Sequence, residues 1–92
     1  GPSPHEYLAA ALASCTSMTL KMYSERKAIH LKNAIVTVDI ERHHDVEIFI
    51  RHIELLGDLD DQQRERLLEI AEKCPIHKAL VGEIQIKTQL VN

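Results

Sequence analysis

The sequence predicts an α+β fold in which a long buried central helix packs on a small antiparallel sheet, completed by a pair of shorter helices. Three observations lead there. The run from Glu6 to Lys21 contains no charge, Gly or Pro between its ends. Two alternating apolar-polar segments follow, separated by the polar break Arg42-His43-His44-Asp45. Beyond Gly57 come two helical segments divided by Cys74-Pro75.

The first helix is expected from about Pro4 to Arg26. Ser3 or Pro4 leads into it, and Pro is well tolerated in a first turn, where its missing N–H costs nothing. Leu8, Leu12, Cys15, Met18 or Thr19, and Met22 recur at helical spacing. Ala9, Ala10, Ala11 and Ala13 fill much of the remaining surface. A helix that is apolar nearly all round is expected to be buried all round, with small residues that let other elements approach closely.

Val36, Val38 and Ile40 alternate with Thr37, Asp39 and Glu41, the period of a strand with one buried face. Val46, Ile48 and Ile50 continue the pattern after a hairpin connection, with Phe49, Ile53 and Leu55 on the other parity. Apolar residues on both parities predict a second strand covered on both faces for part of its length, ending at Gly57. Asp60 and Gln63 have capping-box spacing at the head of the next helix, whose core face is Leu67, Leu68 and Ile70 or Ala71. Pro75 ends that helix and opens a shorter one, with Gly82 as its C-terminal cap. Ile84, Ile86 and Leu90 alternate with polar residues and predict a third, half-exposed strand.

Composition bounds the function. Ninety-two residues make a single domain over residues 1–92, whose core is marginal alone and invites oligomerisation. Aromatic residues are 3% of the chain, so the core must be aliphatic. The net charge of −3, with both signs mixed along the chain, argues against nucleic acid as a partner. The uncharged run Tyr7 to Leu20 falls short of the roughly 20 residues that span a membrane. No secretory leader pattern opens the sequence, so a cytoplasmic protein is expected. Two cysteines do not make a disulfide framework; in a reducing compartment such a pair is catalytic, redox-sensing or structural.

Cys74 stands before Pro75 at the start of a short helix, where unsatisfied N–H groups favour a thiolate. Its other reading is an ordinary capping or core residue. Cys15 lies mid-helix, where packing as a small hydrophobe is the plain reading. Together the two could form a peroxide-reducing pair, in which one thiol becomes a sulfenic acid and the other resolves it. Cys74 and His77 have the spacing of half a zinc site, but a structural site needs four ligands, so neither a metal nor a cofactor is expected. Ser14, Thr16 and Ser17 lack a nucleophile elbow and are expected to bond back to helix carbonyls. Glu6, in the first helical turn, is either stabilised by the helix dipole or orients a functional cation.

The stretches Gly1 to Ala28 and Ile53 to Leu80 together resemble the osmotically inducible protein C and organic hydroperoxide resistance family (OsmC/Ohr), in its OsmC-like subgroup. The first carries the Gly-x-x-Pro opening, the central helix and its cysteine; the second carries the Leu-rich helix and the Cys-Pro motif. The resemblance implies a thiol-dependent peroxidase of organic hydroperoxides, active in the response to oxidative stress. Cys15 would be the peroxidatic thiol, Cys74 the resolving one and Glu6 a supporting residue. A dithiol, possibly of lipoyl type, would be the reductant, and the working unit an intertwined homodimer. In this family an N-terminal strand region usually carries an Arg that activates the peroxidatic thiol. Here the domain is short at its N-terminus, and Arg26, Arg42, Arg51, Arg64 and Arg66 are not at matching motif positions. The family's Glu after the opening Pro is here His5, and Glu6 follows. One residue rotates the side chain by about 100° on a helix, so Glu6 is expected to point elsewhere. The alternative function is a redox-responsive or small-ligand-binding homodimer without efficient peroxidase turnover; a further one is an interaction domain with inert core cysteines.

Overall fold

The computed structural model describes residues 2–92. Its elements are α1 (Pro4–Arg26), β1 (His30–His43), β2 (Val46–Asp58), α2 (Asp61–Ala71) and α3 (Pro75–Val81). The two strands pair antiparallel, α1 packs across β1, and α2 and α3 lie along α1.

α1 begins where the sequence puts it. Ser3 caps it by accepting a hydrogen bond from the Glu6 N–H at 3.2 Å. At its other end the Ile29 N–H donates to the Ser24 carbonyl at 2.9 Å and the Ala28 N–H to the Glu25 carbonyl at 3.3 Å. Those two bonds close a Schellman motif around Ala28, which takes a left-handed φ of 53° that Gly usually supplies. Within the single chain, α1 is buried on one side only. Its buried residues are Leu12, Thr16, Leu20 and Ser24, one stripe at i, i+4 spacing. Tyr7, Met18 and Met22 are each more than 60% exposed, because one two-stranded sheet and two short helices can cover only one side of a 23-residue helix.

The hairpin pairs Ala34 with Leu55, Val36 with Ile53, Val38 with Arg51 and Ile40 with Phe49. These residues share the helix-facing side, since side chains alternate across a strand. Ile35, Ile48 and Leu56, on the opposite parity, are exposed, so the expected cover on both faces of β2 is not present among the described residues. The ladder slips between Leu31 and Asn33, opposite Gly57 and Leu56. Gly57 sits there at φ 143°, where a Cβ would collide with the His30 carbonyl. The glycine therefore faces a bulge in β1, whose extra residue is Lys32, and lies inside β2 rather than ending it.

α2 carries the predicted capping box: the Gln63 N–H donates to Asp60 Oδ1 at 2.7 Å and the Asp60 N–H to Gln63 Oε1 at 3.1 Å. Cys74 is the N-cap of α3, Pro75 its first residue and Gly82 its C-cap. The predicted third strand does not form: residues 83–92 lie in neither helix nor strand. The apolar alternation is present, but β1 and β2 pair only with each other, and a strand exists only against a neighbour. Ile84, Ile86 and Leu90 consequently stand at 60–88% exposure. The core is aliphatic, as composition requires: Leu20, Ala34, Leu67, Ile70 and Ala71, rimmed by Tyr23, Ile29, Leu31, Ile53, Leu55 and Leu59.

Candidate functional site

Three elements converge beside this core. α1 contributes Cys15 and Thr16, β2 contributes Arg51, and the turn from α2 into α3 contributes Ala71, Cys74 and His77.

Cys74 is fully buried. As the α3 N-cap, its sulfur accepts the His77 backbone N–H at 3.2 Å, and the Thr16 hydroxyl stands 3.8 Å away. Burial pushes the thiol up, but donors outweigh it. The His77 N–H, the Cys15 thiol, the Thr16 hydroxyl and the Ile76 N–H together hold Cys74 below its ordinary value. The fold brings the two cysteines to one site: Cys15, half-buried on α1, adjoins Thr16, whose hydroxyl stands 3.8 Å from the Cys74 sulfur, and both are free thiols.

Thr16, also fully buried, is the junction. Its hydroxyl stands 2.7 Å from the Leu12 carbonyl, the back-bond expected of a mid-helix threonine. A hydroxyl has a single proton, so the Leu12 carbonyl and the Cys74 sulfur compete for it. Its oxygen accepts from Arg51 Nη1 at 3.1 Å. The same Nη1 donates to the Ala71 carbonyl at 3.3 Å, and Nη2 lies 3.1 Å from His77 Nδ1. Arg51 therefore ties α1, the end of α2 and α3 to β2 through one planar guanidinium.

Arg51 and His77 also line a cavity of about 560 Å³. Its other walls are mostly apolar, with Leu8, Leu12, Phe49, Leu80 and Val81. Glu47 lies at the cavity, 3.5 Å from His5 and 3.6 Å from Arg42. Neither sulfur is among the lining groups; Arg51 and His77 connect the cavity to the thiols behind it.

Of the predicted site residues, Cys15 and Cys74 come together and Glu6 does not join them. Glu6 lies in a separate shallow cleft with Ser3, Val38, Asp39 and Ile40, so it orients no group of the thiol site; the carboxylate at the cavity is Glu47. No arginine stands at a matching motif position, yet Arg51 of β2 reaches the site by bonding to Thr16 and His77. A signal for it stood in the sequence: Phe49, Ile53 and Leu55 define the inward parity of β2, and Arg51 falls on that parity. His77 was legible only as half of a metal site, and its ring instead meets Arg51.

The OsmC-like protein family model matches residues 1–89. Solved structures share the fold. One, from Legionella pneumophila, is named an organic hydroperoxide resistance protein, OsmC, with TM-score 0.73 and 22% identity over 89% of this chain and 64% of its own. An osmotic stress and detoxification response protein of Psychrobacter arcticus gives TM-score 0.70 and 24% identity, covering 83% and 58% of the two chains. A Vibrio cholerae protein named for organic hydroperoxide resistance, with captopril in one of its active sites, gives TM-score 0.67 and 24% identity, covering 89% and 60%. The chain thus spans about three fifths of the length of these relatives. No curated protein matches it significantly. Among the described residues, no helix is long and apolar enough to cross a membrane.

Proposed function

The chain belongs to the OsmC-like protein family, and on that premise we propose that it is a thiol-dependent peroxidase of organic hydroperoxides. One observation carries the reading. Two thiols from distant segments meet, and the buried one is surrounded by donors that favour its thiolate.

The chemistry follows from exposure and proton inventory. Cys15 is the more accessible sulfur and attacks the peroxide; Cys74, buried behind it, resolves. The Cys74 thiolate is the base that draws the proton from Cys15. The Cys15 thiolate then attacks the terminal oxygen, the O–O bond breaks, and the products are a sulfenic acid on Cys15 and an alcohol once the leaving oxygen gains a proton. The Cys74 thiol condenses with that sulfenic acid, releasing water and leaving a Cys15–Cys74 disulfide. A dithiol such as a lipoyl group reduces it. Arg51 does not touch either sulfur. It is a positioning residue that holds Thr16, the end of α2 and His77 together while lining the cavity. The apolar walls suit the organic half of the substrate. Captopril in an active site of the Vibrio cholerae relative supports a place in this fold for a small organic molecule. A homodimer is part of the same reading, supported by the exposed Tyr7, Leu8, Met18 and Met22 along α1.

One observation favours a second reading, a redox-responsive or small-ligand-binding homodimer without efficient turnover: neither sulfur lines the cavity. Reduced protein mixed with cumene hydroperoxide and excess dihydrolipoamide separates the two. The peroxidase consumes peroxide catalytically, shows a Cys15–Cys74 disulfide by mass spectrometry when the dithiol is withheld, and loses turnover in Cys15→Ser and Cys74→Ser. A disulfide without turnover supports the second reading. Absence of both refutes the two together.

A further inference from the structure

We propose that His77 donates the proton that the leaving oxygen needs, from an imidazole whose tautomer Arg51 fixes. The proposal rests on the peroxidase reading and adds a group that the two-thiol scheme does not supply. Guanidinium nitrogens only donate hydrogen bonds. With Arg51 Nη2 at 3.1 Å, His77 Nδ1 must therefore be the acceptor. This assigns a neutral ring with its proton on Nε2, an assignment that follows from the bonding partner. Arg51 is itself held by Thr16 and Ala71, so the ring is anchored on its Nδ1 side. His77 lines the apolar cavity, and its backbone N–H donates to Cys74. His77 thus spans substrate space and sulfur with two different donors.

The chemistry requires such a group. When the Cys15 thiolate attacks a hydroperoxide, two electrons pass from sulfur to the O–O bond. The terminal oxygen stays on sulfur as the sulfenic acid, and the other departs as an alkoxide. An alkoxide is a poor leaving group in an apolar pocket unless it is protonated as it leaves. The proton from Cys15 has moved to Cys74 and is consumed later, when water is released. The Nε2–H of His77 fills the gap; the imidazolate this leaves takes a proton back from water entering the cavity, and the hydroxide released carries away the charge first held on the Cys74 thiolate. A neutral imidazole serves here as a hydrogen-bonding acid and keeps a second positive charge away from Arg51.

The test uses the full chain and varies the leaving group. tert-Butyl hydroperoxide expels an alkoxide, whereas peracetic acid expels acetate, which is stable without a proton. His77→Asn keeps an acceptor for Arg51 and removes the ring donor; His77→Gln places an N–H near the lost Nε2. The expected result is that His77→Asn slows reduction of tert-butyl hydroperoxide by about 10²-fold more than reduction of peracetic acid, with part of that difference recovered in His77→Gln. Equal loss on both substrates, or on neither, overturns the proposal while leaving the peroxidase reading in place. A wild-type chain that reduces neither substrate overturns the peroxidase reading itself. Independently of activity, long-range ¹H–¹⁵N spectra of the wild type are expected to show His77 protonated on Nε2; a proton on Nδ1 overturns the assignment.

Discussion

Removing the Arg51 guanidinium tests whether it organises the site. Arg51→Met keeps most of the aliphatic bulk and deletes three hydrogen bonds, to Thr16 at 3.1 Å, Ala71 at 3.3 Å and His77 at 3.1 Å. Thr16 and Ala71 are 0% and 1% exposed, so their oxygens are not rehydrated when the donor goes. A buried group left without its partner costs about 1–3 kcal/mol. Each of these oxygens keeps a second neighbour, the Leu12 carbonyl for the Thr16 hydroxyl and the Cys74 N–H for the Ala71 carbonyl, which places both at the low end. His77 is half-buried and recovers much of its loss from water. The sum is about 2–3 kcal/mol, or roughly 10–20 °C in Tm for a domain of this size. Arg51→Lys keeps the charge but has no planar fork, so it recovers only part of the loss. Urea unfolding at one fixed protein concentration reads both variants, since any self-association adds to apparent stability. If Arg51→Met matches the wild type, or Arg51→Lys is the worse of the two, the guanidinium does not organise the site as described.

Three further outcomes follow from the same geometry. Ala28→Gly is expected to stabilise the chain by about 0.5–1 kcal/mol in urea unfolding, because a left-handed φ of 53° strains an L-residue by about 1–2 kcal/mol and glycine's larger unfolded entropy returns part of that; a destabilised variant contradicts the Schellman geometry. Cys74 is held below its ordinary value, so the unfolded chain binds more protons through the interval between the native and unfolded values. Its stabilising contribution is complete above the unfolded thiol's pKa of about 8.5 and is lost as pH falls through the native value. The stability gap between wild type and Cys74→Ala, measured by urea unfolding from mildly acidic to mildly alkaline pH, should therefore widen with rising pH; a flat or narrowing gap contradicts it. For the α1 face, sedimentation velocity should give a dimer that Met18→Glu combined with Met22→Glu dissociates; a concentration-independent monomer sinks the homodimer reading.

What the sequence disclosed, and what it withheld, divides by physical range. α1 was legible to its ends because its caps are local: a serine three residues before an N–H, and a charged last turn. The α2 capping box and the Cys74-Pro75 boundary are likewise fixed within four residues. The third strand failed because its alternation is local but its existence depends on a neighbour that β1 and β2 do not provide. The chain itself covers only one side of α1, since hydrophobicity says that a surface would gain from being covered but not by what. At the site, two thiols were visible as residues, and their meeting was not, because it depends on how α3 packs against α1. Thr16, Arg51 and His77 were present as letters without partners.

Arg51 shows how much information a broken pattern holds. A cation on the inward parity of a strand, between Phe49 and Ile53, is costly to bury unless its donors are met. Three acceptors on three helices meet them here. A hydrophobic side chain at that position would have packed against Leu12 and Phe49 at less desolvation cost. The arginine therefore specifies something that packing alone does not, namely the relative placement of Thr16, Cys74 and His77. The proposed sulfur chemistry needs two thiols close together, a donor-rich environment around the buried one, and an oriented ring at the cavity wall. All three depend on α1 and α3 holding one register against each other, and the guanidinium bonds to both helices from the sheet that carries it. On the proposed reading Arg51 is a positioning residue of β2, tied to the surroundings of the thiols through Thr16 and His77 rather than by direct contact.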